Sequence, residues 1–333
     1  MENKNLVKIP VAAERKSNWL AGLKRTFGTR EMVMVLLIIV TCIIMTILSP
    51  YFLSLTNFVA IARGFAMSGI VAVAMGLLLI VGHFDLSVGS NMALSGIVSA
   101  IMIVSMHLPY PVAVLGGLAT GALIGVTNGV LVTRIHINAL IATLGTMTIV
   151  RGIALGVTEG RPVINVPEKF AWIGQGSVIG IPIPFLVMFV IAVIVDVLLR
   201  RGRTLRQLYY VGGNQKAARL SGIPVDRIIL LCFVGTGVAA ALGGVLTMAR
   251  LTSGIPTAFD DVALNVIAGC VIGGMSMAGG EGTILGAILG VVFMSLISNA
   301  MTMLSVSVYW EGCVTGAILI IAVGADMLSR HRL

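Results

Sequence analysis

Apolar residues run through this chain in long blocks separated by short polar or glycine-rich breaks. A helix needs about 20 mostly apolar residues to cross a hydrocarbon core of ~30 Å. Ten stretches qualify: 32–50, 58–81, 88–106, 110–132, 138–157, 180–199, 228–249, 262–279, 283–304 and 310–328. The pattern predicts an all-α, polytopic membrane helix bundle with about ten transmembrane helices. The stretch 88–106 follows a glycine-rich break rather than a full loop. The longest polar connection after the N-terminal tail runs from Arg200 to Arg227, and its charges are overwhelmingly basic.

Composition agrees with this reading. Of 333 residues, 58% are hydrophobic and only 11% charged, against roughly a quarter charged in a soluble protein. So much apolar surface cannot be hidden in one aqueous core. The net charge of +9 follows from where the basic residues fall, which argues for membrane topology and against nucleic acid. Seven lie in the tail before residue 31, one is Arg134, seven lie between Arg200 and Arg227, and Arg330 and Arg332 close the chain. These 17 of the 22 Lys and Arg share one side of a ten-span topology. The positive-inside rule makes that side the cytoplasm and places both termini there. The expected organisation is a basic cytoplasmic tail at 1–30, a transmembrane domain at 31–328 with a cytoplasmic connection at 200–227, and a cytoplasmic terminus at 329–333. The sizeable connection on the other side, 158–179, is too small to capture a solute by itself.

Chemistry-bearing patterns are sparse. Cys42, Cys232, Cys270 and Cys313 all fall in apolar stretches with no metal-ligand spacing, so neither metal nor cofactor is expected. Lys169 and Lys216, the only lysines after Arg25, complete no phosphate-binding loop. No nucleophile elbow or zinc-binding helix occurs. The chain is therefore not read as an enzyme, and any ATP hydrolysis belongs to another subunit.

The basic connection carries helix punctuation. Gly212-Gly213 reads as a turn, Asn214 as an N-cap, 215–220 as a short helix, and Gly222 and Pro224 as its stop. Ala217, Ala218 and Leu220 offer compact apolar contacts, rimmed by Lys216 and Arg219. The segment is either a docking element or a solvated loop that fixes topology.

Forty glycines exceed the roughly 7% of average proteins, and small-residue faces let helices pack closely in lipid. Two glycine-rich breaks, 82–90 and 273–281, are offset by 191 residues, which suggests duplicated halves. Asp85, the one acidic residue between Glu31 and Glu159, is either a gate residue or a helix cap. Arg151 either snorkels to the interface or serves a pathway or ion pair. Pathway or gate candidates are Asp85, Ser87, Asn91, Thr146, Arg151, Asn265 and Ser276. The Asn residues also suit plain interhelical hydrogen bonding.

Four segments carry a resemblance: Asp85-Leu86-Ser87-Val88-Gly89-Ser90; Ile141 to Met147 with Arg151-Gly152; Gly212-Gly213-Asn214 through Ala217-Ala218-Arg219-Leu220-Ser221-Gly222-Ile223; and Gly273-Gly274 with Ser276, Gly279-Gly280 and Gly282. Over roughly 45–328 the chain resembles permease subunits of bacterial ribose-type ABC importers. The resemblance implies a fold similar to type II ABC importers and a location in the bacterial inner membrane. Its partners would be an ATP-binding cassette ATPase, an extracytoplasmic sugar-binding protein and a second permease copy or paralogue. It makes Gly212, Gly213, Asn214, Lys216, Ala217, Ala218, Arg219, Leu220 and Gly222 the ATPase-coupling residues. The substrate implied is a monosaccharide or small polyol. The chain departs from the family's usual Gly-Gly-Ile-Asp-Leu-Ser at Gly82-His83-Phe84-Asp85, and from its Glu-Leu-Asp-Ala-Ile-Ala near 261–268, so ribose itself is not assigned. The alternative is an ion-coupled secondary transporter, which needs titratable groups within the membrane.

Overall fold

The computed structural model describes residues 29–330, so most of the basic tail and the last three residues lie outside it. Thirteen α-helices dominate the described residues: α1 Thr29–Leu48, α2 Leu55–Ile80, α3 Val88–Val104, α4 Tyr110–Thr133, α5 Ala139–Thr158, α6 Glu168–Gln175, α7 Ile183–Arg201, α8 Arg203–Gly213, α9 Gln215–Leu220, α10 Val225–Leu251, α11 Val262–Ile272, α12 Ile284–Met303 and α13 Glu311–Arg330. A two-residue antiparallel hairpin pairs β1, Ser177–Val178, with β2, Ile181–Pro182, between α6 and α7.

Seven helices (α1, α2, α4, α5, α7, α10 and α12) are long and apolar enough to cross a membrane, and α3, α11 and α13 contribute shorter apolar stretches. The stretch expected at 262–279 ends as a helix at Ile272. Gly274, Gly279, Gly280 and Gly282 beyond it all take positive φ, a conformation that does not continue a right-handed helix.

Burial sorts the bundle into centre and rim. The apolar window of α2 is 78% buried and that of α10 67%, whereas only 11% of α1 and 22% of α7 are covered. A rim helix with an apolar outer surface is what lipid requires. Close packing at the centre uses small residues. A Cβ on Gly125 of α4 would lie 2.5 Å from the Phe233 carbonyl oxygen of α10, and one on Gly121 would lie 2.4 Å from that of Gly237. Helix backbones approach this closely only where side chains are absent.

Two ends of the bundle are distinct. One carries α8 and α9, here termed the loop end. At the far end, residues 252–261 do not simply cross the surface. Gly254 packs on Ile97 and Ala100 of α3, and the Phe259 carbonyl packs on Gly89. The segment therefore descends past eight to eleven residues of α3, or about 12–17 Å at ~1.5 Å per residue. Irregular backbone at such depth is tolerated where protein or water covers it.

Candidate functional site

At the loop end the two glycine-rich breaks meet. Gly280 N–H donates to the Ile80 carbonyl at 2.8 Å, and Gly82 packs against Ala278 and Gly279. The end of α8 is wedged into this junction. A Cβ on Gly212 would lie 1.8 Å from the Ile80 oxygen and 2.5 Å from the Gly280 nitrogen, while one on Gly213 would meet nothing within 4 Å. Gly212 and Gly213 do not turn the chain, as the sequence suggested: they are the last two residues of α8. Glycine serves close approach at Gly212, because any side chain there would strike backbone that cannot move aside.

A second contact fastens α8 to the same place. The Tyr209 hydroxyl donates to the Gly282 carbonyl at 2.8 Å. Burial, reinforced by the Asp196 carboxylate and opposed by the Arg200 guanidinium, holds the Tyr209 hydroxyl above its usual range. The group stays protonated and keeps its donor role.

Beyond the wedge, Asn214 ends α8 and caps α9. Its side-chain oxygen accepts from Ala217 N–H at 3.0 Å, satisfying one of the free amides of a helix start. Gly222, at φ 79°, stops the helix. Ala218 is buried against the subunit's own core, whereas Lys216, Ala217 and Arg219 face outward and Leu220 is 91% exposed. Of the three apolar contacts read from sequence, Ala217 and Leu220 are available to a partner and Ala218 anchors the helix. Arg219 pairs with Asp226, tying α9 to the start of α10.

Asp85 lies just inside the loop end, fully buried. Its Oδ1 accepts from Ser87 N–H at 2.8 Å and Ser87 Oγ at 2.6 Å, and Asn128 Nδ2 of α4 lies 3.2 Å from both carboxylate oxygens. Ser87 is the N-cap residue of α3 but makes no side-chain capping bond. Asp85 therefore does not cap α3; it pins the break to α4. Asn91 donates to the Gly237 carbonyl and accepts from Ser95, joining α3 to α10. Ser276 is buried in the second break, where its hydroxyl accepts from Ala278 N–H. Thr146 bonds its own helix at the Ala142 carbonyl.

Arg151 does not snorkel free. It donates to the carbonyls of Pro256 and Ala258 and pairs with Asp260, clasping the descending segment to α5. The Asp260 side chain is 70% exposed on this face, and Asp261 is exposed beside it. On α5, Gly145, Gly152 and Gly156 have open space around them.

A polar cavity of about 400 Å³ opens among α2, α11, α12 and α13 and the end of α10. Its lining runs along α12 from Val291 to Thr302 and includes Arg250 and Glu311 near the far end. Of the sequence candidates only Asn265 borders it, where its Oδ1 accepts from Thr315 Oγ1 at 2.9 Å. Sequence reasoning passed over Arg250, Glu311 and Ser295. Their one visible signal was polarity inside or beside apolar stretches. Among the described residues no cluster of His, Cys, Asp and Glu is arranged to hold a metal.

Comparison with known proteins fits this layout. The family profile described as branched-chain amino acid transport system / permease component matches residues 57–323. The chain is 36% identical over 293 residues to the ribose import permease protein RbsC of Haemophilus influenzae, covering 87% of this chain and 90% of that protein. It is 38% identical over 286 residues to RbsC of Bacillus subtilis, covering 85% and 88%. With the L-arabinose ABC transporter permease protein AraH of Azospirillum brasilense it shares 35% identity over 323 residues, covering 97% and 94%. No solved structure matches. A polytopic helical bundle matched across nearly its whole apolar length by one permease profile has a single affiliation: the chain belongs to the branched-chain amino acid transport system permease family.

Proposed function

We propose that this chain is the membrane-spanning permease subunit of an ATP-driven importer for a monosaccharide or related polyol. The observation that carries this reading is the wedge at Gly212. An exposed helix, α9, is joined through a backbone-tight contact to both glycine breaks, and each break links two helices of the bundle. A push on α9 from a nucleotide-hydrolysing partner would be felt at α2 and α3 and at α11 and α12 together. The sequence contains no nucleotide-binding motif, so the energy source has to be supplied by such a partner.

The basic residues of α8 and α9 support a cytoplasmic loop end in a bacterial inner membrane, and cytoplasmic termini are part of the same proposal. Solute arrives at the far end from an extracytoplasmic sugar-binding protein. Relatives bearing ribose and arabinose permease names support a pentose-sized substrate. On the far-end face of α5, Arg151 clasps a segment whose Asp260 and Asp261 stay exposed. Charges exposed to hydrocarbon are costly, so this face meets water and a second permease copy or paralogue.

Co-expression with the ATPase and binding protein encoded beside it tests the reading. The expected result is a stable complex whose sugar uptake requires ATP and is lost when residues 214–220 are replaced by a Gly/Ser linker. A chain that recruits no ATPase, or one that takes up sugar on an ion gradient alone, would contradict it.

A further inference from the structure

We infer that the groove between α7 and α12 is a binding site for one anionic phospholipid, with its headgroup on the arginines at the loop end of α7 and an acyl chain laid along the bundle. The inference goes beyond the transport reading and does not depend on it. A rim helix touches lipid all along its apolar face, so a bound lipid needs more: a concave seat and a held headgroup. The seat is a groove of about 360 Å³. Along α7 its lining runs from Phe185 to Arg200, a rise of about 22 Å, which exceeds one leaflet's half of a ~30 Å hydrocarbon core. Residues Ile284 to Val292 of α12 form the opposite wall. Phe65 of α2 meets Phe185 edge to face at 5.7 Å, giving the groove an aromatic end away from the arginines.

The polarity of the groove is graded along its length. Asp196 and Arg200 are the only polar residues in the lining, and both sit at the loop end. Arg200 Nε pairs with Asp196 Oδ2 at 2.7 Å, which leaves the two terminal guanidinium nitrogens without a protein partner among the described residues. Arg201, Arg203 and Arg206 follow within six positions, all exposed, and none pairs with a carboxylate among the described residues. Four arginines against one aspartate complement a phosphodiester headgroup, whose oxygens a guanidinium fork can bind two at a time. Basic pockets at the membrane surface between helices take anionic lipid in this way. The same charge disfavours other occupants. The chain's own N-terminal tail carries seven Lys and Arg against two Glu before residue 31, and a two-fold contact with a second copy through this groove would set two arginine clusters against each other. The headgroup seat also adjoins the fastening of α8: the Tyr209 hydroxyl feels the charges of Asp196 and Arg200 and donates to the Gly282 carbonyl.

Native mass spectrometry of the full chain in maltoside micelles provides the test, with phosphatidylglycerol and phosphatidylcholine of identical acyl chains as probes. Phosphatidylglycerol should bind about tenfold more tightly than phosphatidylcholine, and glycerol 3-phosphate should not displace it. The double variant Arg200→Gln, Arg201→Gln should lose that preference, while Arg134→Gln, which removes a basic residue outside the groove, should keep it. Val197 is an exposed residue of the lining, so Val197→Trp fills the groove without disturbing the core. It should weaken both lipids about tenfold while the unfolding temperature in detergent alone stays at the wild-type value. Equal affinity for the two lipids, displacement by glycerol 3-phosphate, undiminished binding by Val197→Trp, or an equal loss with Arg134→Gln would each overturn the inference. None of these measurements involves sugar or ATP, so the transport reading stands or falls separately.

Discussion

Asp85 illustrates how a residue's role depends on what faces it. Its carboxylate is fully buried and collects donors from Ser87 and Asn128. Replacing it with Leu would leave a buried amide N–H, a hydroxyl and an Asn side chain short of partners, at about 1–3 kcal/mol each. Asp85→Leu should lower the thermal unfolding temperature of the detergent-solubilised protein sharply, while Asp85→Asn should keep part of the stability. Equal unfolding temperatures for wild type and Asp85→Leu would show that the cluster does not hold the break. Sequence identified this residue as unusual but left gate and cap open, because the decisive partner, Asn128, is 43 positions away. Gly212 and Gly213 tell the same story. As a dipeptide they look like a turn, yet they end a helix, and only the two distant segments that meet at Ile80 and Gly280 give Gly212 its reason.

Among elements, α9 was the most legible: its cap, length and stop residue are all local signals. Asn214→Ala removes the capping oxygen, at about 1 kcal/mol, and Leu220→Asp places a charge on the exposed apolar tip. Both variants should still fold, and both should weaken ATPase co-purification, Leu220→Asp more strongly. Undiminished ATPase recovery with Leu220→Asp would remove α9 from the interface. The preceding helix α8 was missed, since Arg203 to Gly213 is polar and ends in two glycines, both poor helix signals. The early end of α11 and the descent of 252–261 were also hidden, because hydropathy averages across a break. Arg151 holds that descent in place. Arg151→Met should free the Pro256 and Ala258 carbonyls and speed amide hydrogen exchange across 255–261, with α9 unaffected. Unchanged exchange there would show that packing along α3 suffices without the clasp.

At the scale of the whole molecule, the all-α, polytopic fold class was readable because lipid imposes a length on each helix, whereas seven of the ten expected stretches form helices long and apolar enough to span. The arrangement of those helices was not. That the two breaks, 191 positions apart, would touch each other and the end of α8 depends on close approaches no periodicity records. The resulting architecture has a junction where the two glycine-rich breaks meet, the end of α8 wedged into it, and the exposed helix α9 carried just beyond that wedge. Transport on this account is the opening of the junction when α9 is driven. The most direct measurement is the number of sugar molecules imported per ATP hydrolysed by the assembled complex carrying Gly212→Ala or Gly213→Ala. The first adds a methyl 1.8 Å from the Ile80 carbonyl oxygen, the second one where there is open space. The expected result is a complex that still hydrolyses ATP but imports about tenfold less sugar per ATP with Gly212→Ala, beside a wild-type ratio with Gly213→Ala. Identical ratios for the two variants would contradict the account.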